Sequence, residues 1–128
     1  MKKDFGVEYR LVVQPVLDDA ARKSGVMFLL ETIKQFGNFN YEIVVNEAFD
    51  GRTLLWTLHG LRAPELAMPS SGSAQFRKVH FDLPGRFHFV MRKSDGSEGM
   101  FDCESRGRRI AIKNLATHSF FTVIADAS

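Results

Sequence analysis

Two histidines with neighbouring aspartates come closest, in type and spacing, to a chemical site in this sequence. His80 and Asp82 are two positions apart and would share one face of a strand, and an opposing strand would bring Asp102 beside His88. Imidazole and carboxylate groups are common ligands of divalent metals. The alternative is a solvated sheet face with ordinary cross-strand pairs. The four histidines, His59, His80, His88 and His118, fall on separate predicted strands without close spacing between ligands, so we favour the second interpretation and predict no metal and no cofactor.

The evidence for any other catalytic group is weaker than that for the histidines. The single cysteine, Cys103, is predicted to lie on the apolar side of its strand, where burial makes a thiol a poor nucleophile. Residues 70–73 form a serine-rich, turn-like stretch without the strand-to-helix context of a nucleophile elbow. The sequence contains no phosphate loop and no dinucleotide fingerprint. We therefore predict that the protein is not an enzyme.

Basic residues concentrate in one part of the chain. The formal net charge is only +2, but residues 77–113 carry nine Lys and Arg against five Asp and Glu. The basic side chains predicted to lack acidic partners cluster near one hairpin: Arg106, Arg108 and Lys113. A weak nucleic-acid or ligand binder using the hairpin around Arg106–Arg109 is therefore one hypothesis. Nucleic acid is the less favoured ligand, because the charge excess is small and few aromatic residues are expected at the surface.

A proline-containing segment carries the leading hypothesis. The stretch 61–74 reads as a long irregular loop that presents Leu61, Leu66 and Met68. Such side chains either dock a partner or cap the end of the fold. The strand at residues 7–13 is a second docking candidate, as an edge, because Val12 interrupts its polar face. We expect a non-enzymatic interaction module that binds a protein or its own copy, with a metal-dependent enzyme at His80 and His88 as the least favoured reading.

The strands that position these residues are predicted most clearly between residues 86 and 104. A three-residue loop, Ser94-Asp95-Gly96, sets opposite charges on one face and apolar side chains on the other. The predicted pairs are Arg92–Glu98, His88–Asp102 and Arg86–Glu104, with Phe89–Phe101 and Phe87–Cys103. A slip of one residue would destroy every pair.

Two further hairpins follow from turn signals. Asp50-Gly51 as a two-residue turn places Val45 opposite Trp56. Arg106-Gly107 as a turn places Glu104 opposite Arg109. Residues 26–36 are ambiguous, because their apolar spacing fits a helix while their β-branched and aromatic residues favour a strand. We favour the strand. Pro15 is expected to end the first strand.

Seven to eight short strands joined by turns predict an all-β, two-layer antiparallel β-sandwich in a single domain, residues 1–128. The segment Leu83-Pro84-Gly85-Arg86-Phe87 resembles the corner between the two sheets of immunoglobulin-like sandwiches, with Phe87 at the aromatic position. The resemblance implies an immunoglobulin-like fold and carries no function.

No targeting signal is apparent in the sequence. Met1-Lys2-Lys3 is followed by Asp4 rather than by an apolar leader, and the apolar run at 26–30 is too short to span a bilayer. We therefore expect a cytoplasmic protein without a membrane association.

Overall fold

A computed structural model describes residues 7–20, 22–37, 41–63, 72–106, 109–115 and 120–125. All regular structure in these residues is β-strand: β1 (Tyr9–Asp18), β2 (Lys23–Phe36), β3 (Glu42–Phe49), β4 (Thr53–Arg62), β5 (Gly72–His80), β6 (Arg86–Lys93), β7 (Glu98–Arg106), β8 (Arg109–Lys113) and β9 (Phe121–Ala125). No helix long and apolar enough to cross a membrane occurs in the described part of the chain.

The nine strands form one sheet in the order β8-β7-β6-β4-β3-β5-β2-β1-β9. The two end strands, β8 and β9, lie close together, so the sheet curls into a nearly closed, barrel-like shape. The pairs β4–β6, β1–β9 and β3–β5 are parallel, and the remaining neighbours are antiparallel. The all-β prediction is confirmed, whereas the two-layer antiparallel sandwich is wrong. Both architectures require the same alternation of inward and outward side chains, so the sequence pattern did not separate them.

The prediction of an immunoglobulin-like corner at residues 83–87 is also wrong, because the described strands form a single sheet. Residues 81–85 connect β5 to β6, which are separated in the sheet by β3 and β4. The carbonyl of Gly85 accepts a hydrogen bond from the amide of Ser105 at 2.7 Å. Phe87 then enters β6 as a buried residue of the same sheet. The turn therefore crosses one end of the barrel-like sheet and does not lead into a second layer.

The hairpin of β6 and β7 has the predicted register. All five predicted pairs occur, from Arg86 opposite Glu104 to Arg92 opposite Glu98. Gly96 adopts a φ of 94°, which glycine accepts without strain, and its amide donates to the carbonyl of Lys93 at 3.0 Å. Charge pairing and turn chemistry agree here, and the prediction is confirmed.

The other two hairpins exist, but near their turns each register differs from the prediction by two residues. In the first hairpin, the side chain of Asp50 accepts hydrogen bonds from the amides of Arg52 and Thr53, so the turn includes residues beyond Asp50-Gly51. As a result Glu47, not Val45, lies opposite Trp56. In the second hairpin Arg106 lies opposite Arg109. A shift of two keeps every side chain on its predicted face, so the hydrophobic pattern did not distinguish the registers.

Strand β2 settles the ambiguity at residues 26–36 in favour of a strand. Its apolar residues fall on both faces, since Phe28 and Leu30 are buried in the core while Ile33 is exposed, and this imitates helical spacing. A bulge against β5 follows Glu31. There the Thr32 hydroxyl accepts from the amide of Ala74 at 2.9 Å and donates to the carbonyl of Lys34 at 2.8 Å.

Strand β1 is not an edge, which corrects two predictions. It pairs with β2 on one side and β9 on the other, and Val12 lies in register between Leu29 and Ile124. The strand also continues through Pro15 to Asp18. Within the described residues β9 ends at Ala125, opposite Val13, so no described residue of β9 lies beside Pro15.

Aromatic rings fill the centre of the sheet's interior. Phe28 stacks on Phe89 at 5.6 Å between ring centroids, and Phe89 stacks on Phe101 at 4.9 Å. Trp56, with none of its surface exposed, meets Phe28 and Phe89 at tilted angles. These rings are among the largest fully buried side chains, and they lie on the inner side of the strands that carry the outward side chains described below.

Gly25 is required by a close approach of neighbouring chain, and its replacement is expected to destabilise the fold. A Cβ at this position would lie 2.6 Å from the carbonyl oxygen of His80 and 2.6 Å from the ring of Phe81. We expect Gly25→Ala to lower the free energy of unfolding by about 1–3 kcal/mol, as overpacked sites do. Gly37→Ala is the matched control, because a Cβ there meets nothing within 4 Å. Equal denaturant midpoints for the two variants would contradict the prediction.

Candidate anion-binding face

A row of polar side chains crosses the outer surface of four neighbouring strands. His88 on β6 lies in register with Thr53 on β4 and with Asp102 on β7, and Asp102 faces Lys113 on β8. The neighbours of His88 along its strand, Phe87 and Phe89, are buried, so the imidazole points outward. Regular strand geometry thus collects groups that are far apart in sequence.

Asp102 is the anchor of this row. Its Oδ1 accepts a hydrogen bond from Nδ1 of His88 at 2.5 Å, and its Oδ2 accepts one from Nδ2 of Asn114 at 2.6 Å. Asn114 reaches back from the end of β8 with a φ of 58°, a left-handed conformation that asparagine tolerates. The hydrogen bond from Asn114, and after it that from His88, lowers the pKa of Asp102. An ionised Asp102 therefore fixes the ring and leaves Nε2 as the nitrogen available to a ligand.

A cavity of about 370 Å³ opens beside His88. Arg52, Arg86 and Lys113 contribute to its lining. Its volume lies at the small end of the range typical of ligand pockets. Arg52, whose carbonyl accepts the amide of His88 at 2.8 Å, has no ion pair among the described residues.

The second carboxylate at the cavity is already neutralised. Glu104 accepts a hydrogen bond from Nζ of Lys113 at 3.0 Å and lies 3.6 Å from Nε of Arg86. The hydrogen bond from Lys113 is the largest cause that lowers the pKa of Glu104, and the charges of Lys113, Arg86 and Arg106 act in the same direction. Asp102 and Glu104 both have hydrogen-bond donors inside the protein, which weakens their repulsion of an anion in the cavity.

Two arginines face each other where β7 meets β8. Arg106 and Arg109 are directly opposite in the register and both are exposed. Neither has an ion pair within the described residues, although Arg106 is near enough to act on the pKa of Glu104. Like charges in directly opposed positions destabilise a strand pair. This arrangement concentrates positive charge at the hairpin.

Together these side chains define what we call the basic face: Arg52, Arg86, His88, Arg106, Arg109 and Lys113, with the carboxylates Asp102 and Glu104. Five arginine or lysine side chains oppose two carboxylates there. Of the residues proposed from sequence, Arg106 and Lys113 lie on this face, but Lys113 is paired with Glu104 and not free. Arg108 lies outside the described residues. Sequence reasoning missed Arg52, which only the parallel β4–β6 pairing brings beside His88.

The proposed metal ligands are not gathered into one site. His80 lies on β5 and His88 on β6, two strands that are not neighbours in the sheet. Nε2 of His80 instead donates to Oε2 of Glu47 at 2.7 Å, and Nε1 of Trp56 donates to the same oxygen at 2.8 Å. No group of three or more potential metal ligands occurs in the part of the chain that the structure describes.

The loop proposed for docking is only partly described. Leu61 lies within β4, with 40% of its surface exposed, and residues 72–74 already belong to β5. Leu66 and Met68 lie outside the described residues. Docking of a protein, or of a second copy, through these three side chains therefore stays a prediction.

Comparison of this chain with known proteins did not identify a relative. No protein-family model, no curated protein and no solved structure matches this chain.

Proposed function

We propose that the protein is a non-enzymatic binding module that takes a small anionic ligand, of the phosphate type, in the cavity beside His88. The observation that carries this proposal is the cationic lining of the cavity: Arg52, which has no ion pair among the described residues, and Arg86 lie beside the imidazole that Asp102 holds through Nδ1. Charge-assisted hydrogen bonds from guanidinium groups to phosphate oxygens are the strong ones.

The hydrogen bonds that the two carboxylates already accept support an anion over a cation. Asp102 uses both oxygens within the protein, and Glu104 already accepts from Lys113. A metal would have to displace these donors, whereas an anion adds acceptors to donors that still have capacity. The surplus of positive charge on the basic face acts in the same direction and would speed the association of an anion.

Titration with pyrophosphate at low ionic strength tests the proposal by calorimetry. We expect saturable binding that weakens as salt is added. The double variant Arg52→Gln, His88→Gln should lower the affinity at least about tenfold, since the loss of the charge-assisted bonds of Arg52 alone contributes on the order of one such factor.

Arg92→Gln is the matched control, because Arg92 lies on the same strand and outer surface but is paired with Glu98, outside the cavity. It should leave the affinity for pyrophosphate nearly unchanged. Absence of binding to the unaltered protein, or an equal loss in the Arg92 variant, would refute the proposal.

A further inference from the structure

The opposed arginines at the β7–β8 hairpin are unexplained by the cavity beside His88. Arg106 and Arg109 do not line that cavity. Their side chains nevertheless project from the same outer surface, because Ile110 and Ile112 face the core and the alternate residues of β8 face outward. They therefore extend the basic face beyond the pocket.

Cross-strand arginines at this position form a geometrically suitable clamp. Directly opposed residues of an antiparallel pair hold their Cβ atoms about 5 Å apart, which allows two guanidinium groups to converge on one anion. A bound phosphate would convert the repulsion between Arg106 and Arg109 into two charge-assisted contacts. No carboxylate within ion-pair distance competes for them among the described residues.

The distance between the cavity beside His88 and the pair Arg106–Arg109 determines how long a ligand must be to contact both. On β7, Asp102 lies opposite His88, and Arg106 lies opposite Arg109. Asp102 and Arg106 are four residues apart along the strand. At about 3.3 Å per residue the two pairs are separated by roughly 13 Å. Between them lies Glu104, with Lys113 and Arg86 beside it, so the path joining the two positions is not negatively charged overall.

We propose that Arg106 and Arg109 form a second anion subsite, and that the ligand of the basic face is a linear chain of phosphate groups spanning both subsites. This inference rests on the proposed function and deepens it. A phosphate chain is favoured over a nucleic acid because the described outer surface of β6, β7 and β8 carries no Phe, Tyr or Trp on which a base would stack, and its aromatic ring, the imidazole of His88, lines the first cavity. Its outward apolar residues there are Val90, Met100 and Ala111.

The experiment compares pyrophosphate with long-chain inorganic polyphosphate, using calorimetry at several salt concentrations. We expect the long chain to bind at least about tenfold more tightly per molecule. The double variant Arg106→Gln, Arg109→Gln should remove most of that gain while changing the affinity for pyrophosphate less than about twofold. The control variant Arg62→Gln, Arg92→Gln removes the same net charge from two exposed ion pairs elsewhere and should keep the gain.

Three outcomes overturn the inference, and they can be told apart. If pyrophosphate binds but the long chain gains nothing, or the gain survives in the Arg106, Arg109 variant, the second subsite is absent and the first remains. If neither ligand binds, the proposed function itself fails. If a single-stranded oligonucleotide with the same number of phosphates binds more tightly than polyphosphate, the ligand is a nucleic acid. Thermal denaturation of each variant verifies that the fold is retained.

Discussion

Native Cys103 is expected to react with a thiol reagent at mildly alkaline pH about a thousandfold more slowly than the same thiol in the unfolded chain. Only 1% of its surface is exposed, and burial, helped by the charge of Glu104, raises the pKa of the thiol from an ordinary value of 9.0 to about 12. The reactive thiolate is therefore depleted in the folded state by about three pKa units, before any steric protection is counted.

The measurement is the rate of labelling with and without denaturant, which is unambiguous because the chain has a single cysteine. The same pKa shift links stability to pH. The folded thiol holds its proton to a higher pH than the unfolded thiol, so this stabilisation is complete below pH 9.0 and is lost as the pH rises towards about 12. Fast labelling of the native protein would show that Cys103 is accessible and would contradict the burial described here.

Replacement of Glu47 by alanine is expected to lower the free energy of unfolding by about 2–4 kcal/mol. Its Oε2 atom accepts hydrogen bonds from the indole of Trp56 and from His80, and its side chain is only 20% exposed. Trp56 is fully buried, so the substitution strands an indole N–H away from water. It also removes the side-chain link between the parallel strands β3 and β5, whose only backbone register pair among described residues is Glu42 with Gln75.

Glu42→Ala is the control on the same strand. Glu42 pairs with Arg62, but both side chains are more than half exposed, so we expect a loss of at most about 1 kcal/mol. Chemical denaturation gives both values, and a double-mutant cycle with Trp56→Phe isolates the indole hydrogen bond. Glu47→Ala should cost less in the Trp56→Phe background. A loss in Glu47→Ala no larger than in Glu42→Ala would show that Glu47 is dispensable.

The strand content and the inward or outward direction of most side chains were predictable because a strand alternates with a period of two. The β6–β7 register was also predictable, because three charge pairs and a glycine-containing loop pointed to one alignment. At the other two hairpins, shifts of two residues preserved both faces and left no hydrophobic signal. The contact between Glu47 and Trp56 was missed as a direct consequence.

The candidate site was predictable only as far as its local pairs. His88 opposite Asp102 follows from the hairpin, but the approach of Arg52 depends on the parallel β4–β6 pairing, which joins strands that are distant in sequence. The closed shape of the sheet depends on the same kind of pairing. Local turns and alternation contain no information on which distant strands meet, so the sandwich and the barrel-like sheet were equally compatible with them.

The parallel pairing of β1 with β9 has a consequence for how the protein is made. Tyr9 pairs with Phe121, so one flank of an early strand stays open in the nascent chain until nearly all the residues between them have left the ribosome. During that interval Leu11 and Val13, which are buried in the finished sheet, lack β9 as the neighbouring strand. Such distant pairing makes folding slow and exposes apolar strand edges on the way. We therefore expect a chaperone that binds extended apolar segments to recognise the nascent chain at β1 and to release it once β9 has docked.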